Sequence, residues 1–264
     1  MKMITLIQMA GMFLVPLLAV LIPIYIGQRY GMHRSKKTED MQHTPVGTVV
    51  GSTFGLLAFM LAFTFQIVTN RYDTRKELLV DEVTNIRTTY LRAGLIPQPY
   101  SRESRKLLVE YVDLRVDLSG DLSQLGSVKA RSVQILDTLW KYSEKLGELD
   151  RSSENYALFI SSVNDLVENY NQRITMAFEF RIPVVILWAL VIITFFSMLA
   201  LGYQFGISGR GSFRINLILG IIFAVVMFLI IALDRPETGL AQVNQKPMFT
   251  LQHQLHSMQT SKSH

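Results

Sequence analysis

The chain has 264 residues, of which 49% are hydrophobic and only 18% charged, with no cysteine and a formal net charge of +5; its mean hydropathy is +0.26. A soluble globular domain carries about a quarter of its residues as Asp, Glu, Lys and Arg, so this balance points to a chain that lies partly in lipid. The missing cysteine excludes a disulfide framework, thiolate metal sites and cysteine nucleophiles together.

In chain order, four runs have the roughly 20 apolar residues that a membrane span requires: Ile4 to Ile26, Val49 to Thr69, Pro183 to Gln204 and Ile215 to Leu233. None contains Asp, Glu, Lys or Arg. The first is too long for a signal-peptide core and no small-x-small cleavage site follows it, so it reads as a true span. Pro16 and Pro23 inside it predict a kink or a partly re-entrant helix.

The second span is the most polar of the four. Gly47, Gly51 and Gly55 recur every four residues, and Ala58 and Ala62 continue that side, a small-residue stripe suited to close helix packing. Phe59 and Phe63 follow Gly55 at the same spacing, among Thr48, Ser52, Thr53, Thr64, Gln66 and Thr69. Spacing alone favours packing; the alternative is a pore helix in which the phenylalanines form a hydrophobic constriction.

Between the second and third spans, residues 71–181 carry 16 basic and 17 acidic side chains, so the positive excess belongs to the segments flanking the spans. That distribution suits lipid headgroups and argues against nucleic acid, which calls for a basic stripe on a folded domain. The excursion reads as helical. Leu78, Leu79, Val83, Ile86 and Tyr90 prolong the second span until Gly94, Pro97 and Pro99 stop it. A helix starting at Ser101 ends at Gly120, a third carries Val128 to Leu146, and a fourth carries Tyr156 to Ile174. Pro183 then stands either in the first turn of the third span or at a kink in a continuous helix.

The predicted organisation is an all-α, four-span membrane protein: spans one and two in 1–69, a helical soluble domain in 70–181, spans three and four in 182–236, and a polar tail in 237–264 that is disordered after Leu251. Four spans place both termini and the soluble domain on one side, read as cytoplasmic. Enzyme signatures are missing. All five histidines lie in the first loop or the tail, where His253 and His256 lack an acidic neighbour and read as solvated. Asp81 and Glu82 read as ordinary exposed helix charges. Arg71, Asp73, Arg75, Asp234 and Arg235 are charges at the membrane boundary, read as salt bridges rather than as a lipid-cleaving site. No cofactor, metal site or catalytic residue is predicted.

Four segments together resemble the bacterial bestrophin-like family over about Gly47 to Leu251: GLLAFMLAFTFQIVTNRYDTRKELLVDEVTNIRTTYLRA, RKLLVEYVDLR, RIPVVILWALVIITFFSMLALGYQFG and IIALDRPETGLAQVNQKPM. The most specific piece is Leu233-Asp234-Arg235-Pro236 followed by Gly239. The family is named for a distant likeness to bestrophins, pentameric anion channels with cytosolic termini whose second transmembrane helix forms a hydrophobic neck. Placing Asn70-Arg71-Tyr72 on the Thr-Arg-Trp of animal bestrophins sets Phe59 and Phe63 on neck phenylalanines and Gly55 on a neck isoleucine. The resemblance thus implies a homo-oligomer, a pentamer by analogy, in a bacterial inner membrane. It would pass an inorganic ion, an anion such as chloride in preference to a cation given Arg71 and Arg75. The bestrophin calcium clasp is not expected, because only Asp234 and Glu237 stand near Pro236. The competing reading is a membrane-anchored signalling or scaffold protein that conducts nothing.

Overall fold

A computed structural model describes residues 2–35, 46–120, 124–178, 181–209, 213–234 and 241–260, and the described residues form helices and connecting turns with no strand. The helices in chain order are α1 (Lys2–Ser35), α2 (Val46–Arg92), α3 (Tyr100–Gly120), α4 (Leu125–Leu149), α5 (Glu154–Phe178), α6 (Val184–Ser208), α7 (Phe213–Asp234) and α8 (Lys246–Thr260). Four segments are long and apolar enough to cross a membrane: Ala10–Arg34, Val46–Arg92, Val184–Ser208 and Arg214–Asp234. The protein is therefore an all-α membrane protein. Its chain divides into two compact units, Met1–Tyr72 with Arg181–Gln242, and Asp73–Phe180 with Val243–His264.

In the first unit α1 packs mainly on α6 and also on α7. The α1–α6 approach is set by glycine. A Cβ built at Gly27 or Gly31 would strike the Leu199 or Tyr203 carbonyl oxygen, and one at Gly202 or Gly206 would strike that of Ile24 or Gln28. Two pairs of glycines, each four residues apart, thus let the helix backbones touch, the arrangement that substitutes for the hydrophobic effect inside lipid. α1 continues unbroken across Pro16 and Pro23, both buried, so the expected re-entrant break does not form. Pro183 lies directly before α6, where its carbonyl accepts the Ile186 N–H at 2.9 Å, which decides for a helix start over a kink.

The buried side of α2 in this unit is Val50, Leu57, Leu61, Thr64 and Val68, of which Leu57, Leu61 and Val68 share a core with Leu190, Met198 and Ile230. Thr64 tolerates complete burial because its hydroxyl donates to the Met60 carbonyl at 2.7 Å. The Ser197 hydroxyl of α6 donates to the Thr53 carbonyl at 3.2 Å, and Phe54 meets Phe223 of α7 edge to face.

The second unit has a conventional aliphatic and aromatic core. Leu79, Ile86, Tyr90 and Ala93 of α2 meet Leu108, Tyr111 and Val112 of α3, Ile135, Leu139 and Leu146 of α4, and Phe159, Val163 and Leu166 of α5. The turn predicted at Gly94 to Pro99 separates α2 from α3, and the interruption predicted near Gly147 to Ser153 separates α4 from α5.

The predicted tail needs correction. Residues 246–260 form α8, whose Met248, Leu251 and Leu255 are buried in this same core. Those three residues occur at helical spacing but make a stripe only one side chain wide among Gln252, His253, Gln254 and His256, so composition hid it. The Asn244 side-chain oxygen accepts the Lys246 N–H at 3.0 Å and opens the helix. His256 is not without an acidic neighbour either. Its Nε2 lies 2.9 Å from Asp113 Oδ1, which also accepts from Gln252 at 2.8 Å.

Candidate pore face and charged clusters

An α-helix turns about 100° per residue, which places Thr48, Ser52, Gly55, Phe59, Phe63, Gln66 and Asn70 within an arc of about 80°. All seven are exposed, and no other part of the described chain covers them. Phe59 is 65% and Phe63 50% exposed. Their rings stack with centroids 6.4 Å apart and an interplanar angle of 13°. One turn further, Gln66 Nε2 donates to Asn70 Oδ1 at 2.6 Å. The face therefore runs from hydroxyls through a glycine and two aromatic rings to a pair of amides. Lipid suits the rings and tolerates the Ser52 hydroxyl, which donates to the Thr48 carbonyl at 2.9 Å, but suits the amides less well, since their burial in hydrocarbon carries a desolvation cost.

The rest of the small-residue stripe borders this face. Gly47, Gly51, Ala58 and Ala62 are exposed as well, and a Cβ added at Gly51 or Gly55 would meet nothing within 4 Å. Only Gly47 has a neighbour, Gln204 Nε2 at 3.4 Å from such a Cβ. The glycine packing built within the chain is that of α1 with α6, at positions the sequence reading passed over. Its signal was present in the Gly27/Gly31 and Gly202/Gly206 spacing.

The boundary charges separate. Arg71 Nη1 pairs with Asp234 Oδ1 at 3.1 Å, and its Nη2 donates to the Arg181 carbonyl at 2.8 Å. Asp234 Oδ1 also accepts the Ile182 N–H at 3.1 Å. One carboxylate at the end of α7 thereby ties α2 to the chain entering α6. The side chains are only 19% and 11% exposed, which gives this pair more weight than a surface bridge. Asp73 is exposed and Arg75 half-buried, while Arg235 lies outside the described residues. Replacing Asp234 with alanine should lower stability by about 3 kcal/mol, since it strands a largely buried guanidinium and a backbone donor. Asp234→Asn should cost less because it keeps an acceptor for Ile182. Thermal unfolding in detergent measures both, and equal losses would contradict the assignment.

Glu82 corrects a further expectation. It is completely buried. Tyr111 Oη donates to its Oε1 at 2.8 Å, Arg115 grips both carboxylate oxygens at 3.1 and 3.3 Å, and Arg173 Nη1 lies 3.3 Å from Oε2. Burial pushes the Glu82 carboxyl above the ordinary carboxylate range, while Arg115 and the Tyr111 hydroxyl pull it back. Burial, and then the neighbouring carboxylate, raise Tyr111 well above the usual phenol value, so it remains a donor. A signal was available in the sequence: Glu82 stands in register with Leu79, Ile86 and Tyr90, on the apolar side of its helix. Asp81 is exposed as expected.

Residues 13–248 match the model of the Bestrophin-like domain. The chain belongs to the bestrophin-like family. Among solved structures, this bestrophin-like chain is similar to two variants of a bacterial bestrophin homologue from Klebsiella pneumoniae. One is 17% identical with a TM-score of 0.65, covering 96% of this chain and 99% of that one. The other is 14% identical with a TM-score of 0.64, covering 92% and 98%. A structure described as a membrane protein is 16% identical with a TM-score of 0.63, covering 95% and 98%. At these identities the likeness establishes the bestrophin fold. No curated protein matches the chain.

Proposed function

We propose that this bestrophin-like chain is one subunit of a homo-oligomeric ion channel whose conduit is lined by the outward face of α2. The observation that carries the reading is that face itself. A spanning helix holds hydroxyls, stacked phenylalanines and paired amides in one exposed arc. One helix encloses nothing, but the same arc from several copies around an axis gives a polar conduit with an aromatic constriction, a device that gates by dewetting. Family membership supports the same reading, and by resemblance the ring is a pentamer in a bacterial inner membrane with its termini and soluble unit cytoplasmic.

The charges suggest which ion passes. The preference for anions rested on Arg71 and Arg75. Arg71 is engaged with Asp234 and the Arg181 carbonyl. At about 100° per residue, both arginines fall on other sides of α2, whereas Asp73, Glu77 and Asp81 continue the spacing of Gln66 and Asn70. Those three acids are exposed. Rings of carboxylates select cations, so the proposed substrate is a small inorganic cation.

Flux into liposomes reconstituted with the purified protein tests the function. Conduction by the wild type is the expected result, and silence across a range of pH and salt overturns it. Asp73→Asn combined with Glu77→Gln should lower the cation-to-anion permeability ratio by about ten-fold, equivalent to roughly 1.4 kcal/mol in relative barrier height. A reversal potential unmoved by this double substitution would remove the acidic residues from the permeation path.

A further inference from the structure

In the second unit, α4 and α5 leave between them a cavity of about 420 Å³, within the roughly 300–1,000 Å³ range of small-molecule sites. α4 lines it with Val133, Asp137 and Trp140, which share one side of that helix, and α5 lines it with Asn164, Val167 and Asn171 at similar spacing. Tyr170 is only 5% exposed and closes the floor, while Val133 and Trp140, at 39% and 38%, stand at the rim.

The polar groups around this cavity are uncommitted. Asp137, Asn164 and Asn171 have no hydrogen-bond or ionic partner among the described residues, and the Tyr170 hydroxyl is buried without one. Other exposed polar side chains of the same two helices do pair, Arg131 with Glu110 and Gln172 with Glu168. Asp137 is the one charged side chain in the lining. Lys141, one turn further along α4, is exposed and does not line the cavity. Arg173, whose guanidinium lies 5.9 Å from the Tyr170 ring centre, is already held by Glu82 at 3.3 Å.

An unpaired carboxylate on a helix surface is ordinary by itself. Beside an indole, two amides and aliphatic walls it forms the set of groups that suits an organic cation. A primary ammonium donates to carboxylate and amide oxygens and is attracted to the face of an indole ring. An anion would meet Asp137 with no cation in the lining to offset it, and a wholly apolar molecule would strip water from the carboxylate and amides without replacing it. We propose that the α4–α5 cavity binds a small organic ammonium ion: Asp137 pairs with the charged nitrogen, Asn164 and Asn171 accept its remaining N–H groups, and the apolar body lies against Trp140 and Val167. This inference goes beyond the channel reading and is independent of it, because every lining residue belongs to the second unit.

Fluorescence titration of the purified full-length protein in detergent tests it, with phenethylamine as the probe. Trp140 and Trp188 are the two tryptophans of the chain, so Trp188→Phe leaves Trp140 alone to report on the cavity. A saturable change in its emission is expected at a pH that keeps the amine protonated. The neutral analogue phenethyl alcohol and the anion phenylpropionate should bind at least about ten-fold more weakly, the loss that accompanies one charge-assisted hydrogen bond. Asp137→Asn, at an exposed position, should weaken phenethylamine by about the same factor and leave the alcohol unaffected, and equilibrium dialysis checks both affinities without relying on emission. No saturable response up to about 10 mM amine, an affinity too weak for a built site, overturns the proposal. Equal binding of amine, alcohol and anion overturns it too, as does an Asp137→Asn variant that binds phenethylamine like its parent. If acrylamide fails to quench Trp140 in the assembled protein, a second copy covers the cavity and no small cation occupies it.

Discussion

Replacing Phe59 and Phe63 together with alanine is expected to raise ion flux per reconstituted channel by about ten-fold or more, a fall of roughly 1.4 kcal/mol in the barrier. The direction follows from what the rings do to water. In the proposed ring of α2 helices, each copy supplies two successive levels of phenylalanine, and a narrow apolar collar is reluctant to stay wet. Removing both levels leaves methyl groups beside Gly55 and Ala62 and lowers the cost of keeping a hydrated ion at that depth. The rings already stack on one another at 6.4 Å, so each single substitution leaves one collar in place and should give a smaller rise. Stability should move little, by about 0.5 kcal/mol or less, because neither side chain is buried within the chain. Leu57→Ala provides the contrast on the same helix. Leu57 is completely buried, and truncating it should cost about 2–5 kcal/mol without a comparable rise in flux per assembled channel. Dye-based flux assays alongside thermal unfolding separate these outcomes. Unchanged flux in the double variant would move the conduit away from this face of α2.

Hydropathy located the spans because a run of apolar residues is a property of the chain itself. Periodicity likewise located the helices between them, together with their stops at Gly94 to Pro99 and near Gly147 to Ser153. What it could not supply was the partner of each side chain. Glu82 and Asp81 are adjacent acids in one helix, yet one is enclosed by Arg115 and Arg173, brought from 33 and 91 positions away, and the other faces outward. Arg71 and Asp234 read as boundary charges suited to salt bridges, but which of the five pair is decided only when the chain brings Arg71 and Asp234 to within 3.1 Å. α8 was missed for a different reason. Its apolar stripe of Met248, Leu251 and Leu255 is too narrow to stand out from polar composition, and it is helix-forming only against the core that receives it. The pore-face candidates Gly55, Phe59 and Phe63 were legible as a pattern. Their exposure is a property of the fold, and its meaning depends on neighbouring copies.

Substituting alanine at Gly202 is expected to destabilise the protein by about 3 kcal/mol or more, and leucine should prevent folding of the spanning unit altogether. Small residues are often interchangeable in membrane helices, and alanine is the better helix former by about 1 kcal/mol, so propensity alone predicts a gain. Geometry overrides it. The added methyl group would overlap the Ile24 carbonyl oxygen, and that carbonyl carbon lies 2.8 Å from the Cβ position. Backbone atoms have no alternative rotamer, and relief requires α1 and α6 to separate. Separation would also loosen the contacts at Gly27, Gly31 and Gly206, each of which meets backbone in the same way. Overpacking against side chains typically costs about 1–3 kcal/mol, and a rigid obstacle sets the expectation at or above the top of that range. Gly55→Ala is the matched control, because the space around Gly55 is open and its φ is not in the left-handed region. It should leave melting unchanged or raise it slightly, while narrowing the proposed conduit next to Phe59. Melting in detergent and the yield of assembled protein distinguish the two positions. Equal tolerance of alanine at Gly202 and Gly55 would mean that α1 and α6 are not held together by backbone contact, and that the small residues of this chain serve helix packing elsewhere.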